Sequence, residues 1–372
     1  MQGSLWRFFG LIVLVVSGLL AGCGGSCLGC GGDGAGTEPP PAAPPPAVVM
    51  QTFAYVAARG LESVAIYRVE DDGTLASVDV ALAGERVTHV AIHPSNRFAY
   101  AVNRSDNNIS TYALDPNTGR LTGRVDVAAG VSPRLIRIHP SGNFAYVTNF
   151  ADGTVSIFNI DPGSGALAVN PSSPVAVGAS TSGILIDPTG QFVFVESADG
   201  VRSFSIAASG ALSANSTVPM AVALDDIALA PSGGFLYAAA ADGTVSRHAI
   251  SETGEVGPGT VVAARAAGEL SVYIEARGRF AYVTSSGDNS VAAFALHPLT
   301  GEFTPAGTVN PGLDPRSVAM GPTGEYLYAT SEDSGTISVY AVDQTTGALT
   351  ALGTPIVADF LPGGIVIARF PR

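Results

Sequence analysis

Lysine is missing from this 372-residue chain: all 18 basic residues are arginine. Chemistry that needs an amine side chain, whether a Schiff base or the lysine of a phosphate-binding P-loop, is therefore excluded. Charge of either sign is sparse, at 13% of residues, and 31 acidic residues leave a net charge of −13. Such a chain offers no basic face to a phosphodiester backbone, which excludes a nucleic-acid partner. Scarce charge does not mean disorder here, because 47% of residues are apolar, enough to offset the entropy of ordering a chain. Cysteine stops at Cys23, Cys27 and Cys30, so no disulfide staples the rest of the chain. The Asp- and Asn-containing loops lack the regular ligand spacing of a calcium loop, and neither a metal nor any other cofactor is expected.

The amino terminus reads as an address. Arg7 precedes a 15-residue apolar run, Phe8 to Gly22, which is short for a spanning helix and suited to a secretory signal. It ends Leu20-Ala21-Gly22-Cys23, which resembles a bacterial lipoprotein signal, with Cys23 the residue to be acylated. Residues 1–22 are thus expected to be a signal peptide and 23–49 a lipidated linker. The linker is Gly-rich first and Pro-rich from Pro39 to Pro46, a semi-rigid polyproline spacer of about 25 Å. Cys27 and Cys30 have CxxC spacing in Gly-rich surroundings, and a local disulfide is the expectation. Gly24 follows the lipidation site where an inner-membrane retention signal places Asp. An outer-membrane address follows, facing the periplasm or the cell surface, with an envelope protein or a small anionic ligand as partner and a monomer as the assembly.

From residue 53 onward the chain repeats. Aromatic anchors fall at Phe53, Phe98, Phe144, Phe192, Phe235, Phe280 and Tyr326, spaced by 45, 46, 48, 43, 45 and 46 residues. A second aromatic follows two residues later at Tyr55, Tyr100, Tyr146, Phe194, Tyr237, Tyr282 and Tyr328. A period in the forties with several short strands per unit marks a β-propeller. One unit reads as an inner strand into a Pro-Ser-Gly turn, then FAYVTN, then TVSIFNI, then a hairpin into an outer strand, with turn residues that reach positive φ. The first unit has no inner strand of its own, while Gly364 to Arg369 is an inner strand without a blade. The reading is an all-β, seven-bladed propeller over 50–372, closed by the C-terminal strand completing the first blade, with no free edge.

The FAYVTN of Phe144 to Asn149 resembles the YVTN repeat, and the DPxTGxL hairpins are similar to those of the lactonase family of seven-bladed propellers. That family includes bacterial 6-phosphogluconolactonases and fungal muconate cycloisomerases. The resemblance implies hydrolysis of a lactone or ester, here one available outside the inner membrane. Pro133-Arg134 and Asn149 match a family element whose following His and Glu are replaced by Leu135 and Phe150. Pro315-Arg316 fits the pattern of a late blade. Ser182 stands where a middle-blade His is expected, and Glu196-Ser197-Ala198-Asp199 replaces a D-L-G element.

Counting six residues back from each turn proline gives Thr88, Arg134, Ser182, Asp225 and Arg316 at the channel mouth; Leu270, in the unit that lacks the proline, is placed there by its distance from Phe280, and His89, Asp226 and Ser271 are among those one position on. Arg134 and Arg316 are candidates to clamp a carboxylate or phosphate or to stabilise an oxyanion. Asp225 and Asp226 are candidates to pair with them, and Asp225 or His89 to act as a base. Ser182 completes the candidate ligand site. His93, His139 and His297 fall in turns or hairpins and His248 in a third strand, and all four read as structural. Two readings follow: a lipid-anchored binding or interaction scaffold, and a lactonase-like hydrolase.

Overall fold

The computed structural model describes residues 50–358 and 360–371; the signal, Cys23 and the linker lie outside them. Seven antiparallel sheets follow one another, and no helix occurs among the described residues. Each sheet is one blade with its strands in sequence order from the channel outward, except the first. There the strand Pro362–Pro371 pairs with Met50–Ala58, Thr52 opposite Arg369 and Tyr55 opposite Val366. The last strand therefore closes the ring on the first blade. Blades 3 and 7 split their outer strand into two short segments (Leu167–Val169 with Val175–Ala176, and Leu349–Ala351 with Ile356–Val357).

The repeated aromatics weld neighbouring blades. In six blades the second aromatic is a buried Tyr whose hydroxyl donates to the glycine carbonyl of the next blade's hairpin. Tyr55 reaches Gly119 at 3.0 Å, Tyr100 reaches Gly165 at 2.9 Å, and Tyr328 crosses the closure to Gly73 at 2.9 Å. Tyr146, Tyr237 and Tyr282 repeat the bond to Gly210, Gly301 and Gly347. The first aromatic packs over the same glycine. Gly165 sits at φ 71°, and a Cβ there would lie 2.3 Å from Phe98, so no larger residue fits. Blade 4 breaks the pattern with Phe194, which has no hydroxyl to offer Gly254. Its inner strand is also the shortest, Ile184–Ile186.

The second strands, such as Phe144–Asn149, are buried almost throughout because both of their faces pack on adjacent blades, whereas outer strands such as Leu121–Ala128 are mostly exposed. His93 and His139 bond the turn glycines of the next blade, Gly142 and Gly190, at 2.8 and 2.9 Å. His248 is buried between Ser246 and Gly257, and His297 accepts two backbone N–H groups in its own hairpin.

Candidate functional site

Four inner strands begin with a β-bulge: between Val87 and His89, Pro133 and Ile136, Leu224 and Asp226, and Pro315 and Ser317. A bulge re-aims the residues it leaves unpaired. Those residues include Thr88, Arg134, Asp225 and Arg316, the positions the turn-proline count places at the mouth. They line one central cavity of about 760 Å³, together with Ser182, His89 and Asp226. Leu270 departs from the ring: its side chain joins the core between blades 5 and 6, and its backbone N–H reaches Asp225.

The two candidate arginines share the cavity but not the environment. Arg316 is neutralised by three carboxylates. Its Nη2 lies 2.9 Å from Asp314, its Nε 2.7 Å from Glu332, and its Nη1 contacts Glu269. Glu332 also takes Arg59 at 2.6 Å. Among the described residues the Arg134 guanidinium has no ion pair and no hydrogen bond; it lies over the Phe150 ring at 5.1 Å. Arg104 covers the same ring at 5.5 Å and donates to Ser132 at 2.8 Å. Burial, reinforced by the charges of Arg59, Arg316 and Arg86 and opposed by Glu196, pushes the Arg134 pKa down. Arg104 is likewise lowered by burial and by Arg134, Arg86 and Arg59. A strongly acidic chain has gathered four guanidiniums on one wall of its cavity.

The opposite wall holds carboxyl groups. Asp226 accepts from Ser271 Oγ at 2.7 Å, Val272 N at 3.1 Å and Ile227 N at 2.9 Å, and burial still raises its pKa. Asp225 accepts from Leu270 N at 3.1 Å and is raised by burial and by Asp226. Neither carboxylate hydrogen-bonds an arginine; both are held by the start of blade 6. Behind them Glu196, 3% exposed, accepts the Ser182 hydroxyl. Burial pushes its pKa up to about 8, against the pull of Ser182.

His89 lies below the mouth, where Arg137 Nη1 donates to its Nε2 at 2.8 Å. A guanidinium only donates, so Nε2 is the acceptor and the proton sits on Nδ1, which has no partner among the described residues. Burial, then Arg137, holds the ring pKa well below its usual value. The lone pair a base would use is therefore already committed. The sequence reasoning missed Arg137, three residues after Arg134 on the same strand. It also missed Arg59, Arg104, Glu269 and Glu332, which arrive from strand-connecting loops. Strand alternation was the available signal for Arg137; the loop residues carried none.

A family model described as "Lactonase, 7-bladed beta-propeller" matches residues 47–126, 80–181, 123–260 and 250–360. No curated protein matches the sequence significantly. Among solved structures, a candidate 6-phosphogluconolactonase of Bacteroides uniformis is 21% identical with a TM-score of 0.75, covering 86% of this chain and 99% of its own. One of Bacteroides fragilis is 19% identical, TM-score 0.76, covering 86% and 98%. The periplasmic gluconolactonase PpgL of Pseudomonas aeruginosa is 21% identical, TM-score 0.73, covering 86% and 99%. At these identities the structures support the fold, and the family model spans nearly all of the propeller: the chain belongs to the lactonase family of seven-bladed β-propellers.

Proposed function

We propose that this chain is an extracytoplasmic propeller, tethered through acylated Cys23, that holds a small anionic ligand in its central cavity. The observation that carries this reading is Arg134, a half-buried guanidinium with no anionic partner among the described residues, beside Arg59, Arg86 and Arg104. Burying a cation without pairing it is costly, and a bound carboxylate or phosphate removes that cost with bidentate hydrogen bonds. Arg316 contributes less, since its donors already face Glu269, Asp314 and Glu332. Asp225 and Asp226 shape the opposite wall, where Ser182 lines the cavity with its hydroxyl donated to Glu196.

Titration calorimetry of residues 47–372 with citrate, gluconate and inorganic phosphate tests this reading. At least one should bind, and Arg134→Met should abolish the heat. Unchanged binding in that variant, or no binding of any of the three anions, overturns it. The tether has its own test: palmitate incorporation in a bacterial host that is lost in Cys23→Ala.

A second reading, hydrolysis of a lactone or ester in the envelope, draws on family membership and on the periplasmic gluconolactonase among the similar structures. In it the arginines receive the substrate's anionic group or the oxyanion. Base-consumption measurements at constant pH with a panel of lactones and esters separate the two: turnover lost in Arg134→Met favours the hydrolase, and binding without turnover favours the scaffold.

A further inference from the structure

Counted from the repeated aromatic, the fifth residue of each second strand occupies the junction with the next blade, as Ala57, Val102 and Ala239 do. In blades 3 and 7 it is Thr148 and Thr330, whose hydroxyls donate to the carbonyls of Ser182 and Gly363 on the following blade, each at 2.8 Å. In blade 4 the same position is Glu196, and it turns back onto its own blade. Its Oε1 accepts the Ser182 hydroxyl, while Oε2 is buried without a partner. Gly183 makes room for this arrangement, because a Cβ there would lie 2.6 Å from Glu196 Oε2. Ser182 Oγ, having given its proton toward Glu196, keeps its lone pairs for the cavity it lines. A merely structural serine–carboxyl contact would not need to leave the second oxygen desolvated and unbonded, which costs stability.

We propose that Ser182 and Glu196 form a catalytic pair in which Ser182 Oγ is the nucleophile toward carboxylic esters bearing an anionic substituent and Glu196 accepts its proton. The proposal rests on the hydrolase reading above and assigns its chemistry to blade 4. Ser182 Oγ forms a bond to the ester carbonyl carbon as its proton passes to Glu196, and the carbonyl π electrons move to oxygen. Collapse breaks the bond to the leaving alkoxide, which takes the proton from Glu196 and leaves an acyl-serine. Water then attacks the acyl carbon, giving a proton to Glu196. That proton returns to Ser182 Oγ as the acid departs. One ester and one water become one acid and one alcohol. The substrate's anionic substituent is held across the cavity by Arg134. Because burial raises the Glu196 carboxyl to about 8, the base form, and with it the reaction, gains as the pH rises through that value.

The test uses residues 47–372 and an alkyl fluorophosphonate, which captures a nucleophilic serine by losing fluoride. Mass spectrometry should find the adduct on the peptide containing Ser182, formed faster as the pH rises through about 8. The adduct should be absent in Ser182→Ala and form about 100-fold more slowly in Glu196→Gln. Hydrolysis of 4-nitrophenyl succinate should follow the same order and exceed that of 4-nitrophenyl acetate, which has no anionic substituent. Thermal melts confirm that both variants fold. Absence of the Ser182 adduct in the folded wild type, or equal labelling of wild type and Glu196→Gln, overturns the pair. Calorimetry and the lactone and ester panel, both run on the wild type, keep the proposals apart: anion binding or turnover without a Ser182 adduct sinks the catalytic pair and leaves the anion site or the hydrolase reading standing.

Discussion

The cavity wall built by blades 1 to 3 holds cations with few partners, and the wall built by blades 4 and 5 holds carboxyl groups with several. Arg134 has an aromatic ring and Arg104 shares it with one serine hydroxyl; Asp226 has three hydrogen bonds from its surroundings. The same repeated frame thus supports two kinds of charge. Carboxylates here are consumed in holding blade 5 to blade 6, whereas the guanidiniums are left facing the opening. Glu196 belongs with neither set, since one of its oxygens is engaged and the other is bare.

The sharpest way to separate Glu196 from its wall is by pH. Its pKa rises from 4.5 to about 8 on folding, so between those values the native state holds a proton that the unfolded chain has released. Linkage then makes stability fall as the pH rises, by about 1.4 kcal/mol per pH unit for one proton, about 5 kcal/mol across the window. Urea melts at intervals from pH 5 to 8 should show this slope. Glu196→Gln should reduce it by one proton's worth; Asp225 and Asp226, raised in the same direction, add to what remains, while His89 and His248, both lowered by burial, oppose it below the ordinary histidine range. An identical slope in the variant would mean that Glu196 titrates in the ordinary carboxylate range despite its burial.

Next in size is the loss of a satisfied carboxylate. Asp226→Ala leaves the hydroxyl of Ser271 and the N–H groups of Val272 and Ile227 without their acceptor, and should cost about 3 kcal/mol in urea unfolding at pH 6. A loss within experimental error would mean that the acid wall is not what joins blades 5 and 6.

The opposite wall should behave differently. Arg134→Met should weaken binding of the anion found by calorimetry by about 2–3 kcal/mol, with the melting temperature unchanged or higher because a crowded cation is gone. Arg316→Met should instead lower the melting temperature, because Glu269, Asp314 and Glu332 lose their shared cation. If the two variants behave alike, the distinction between the free and the neutralised arginine fails.

The smallest effect concerns the blade 4–5 seam. Phe194→Tyr supplies the hydroxyl that six other seams possess and should stabilise by about 1 kcal/mol, while Tyr146→Phe should cost about as much. Equilibrium unfolding of both variants measures it, and a destabilising Phe194→Tyr would mean that Gly254 is not placed to accept.

The seams also show how much of this protein was legible beforehand. Each aromatic pair and hairpin glycine is a local pattern repeated at a near-constant interval, and both halves of every Tyr–Gly bond lie in it. Blade count and ring closure followed from that arithmetic and the structure agrees. The mouth positions of Arg134, Asp225 and Arg316 were legible for the same reason, because the turn proline fixes the register. What they bind was not. Arg316 meets carboxylates from residues 269, 314 and 332, which reach it from two blades by way of variable loops, and no period in the sequence predicts which side chains converge there. Leu270 failed the count for a related reason: blade 6 lacks the turn proline, and its side chain turned toward the core.

Ring closure has a mechanical consequence. Met50–Ala58 runs from the hairpin side of the propeller toward the arginine-lined mouth, with Ser63–Val69 on one flank and Pro362–Pro371 on the other. Tension applied at Met50 would act along that strand, loading two antiparallel ladders in shear. Neither ladder can be peeled open one bond at a time from that end, so the strand that receives the upstream chain resists extraction on both sides at once. The load would enter the ring at the end of the strand away from the mouth.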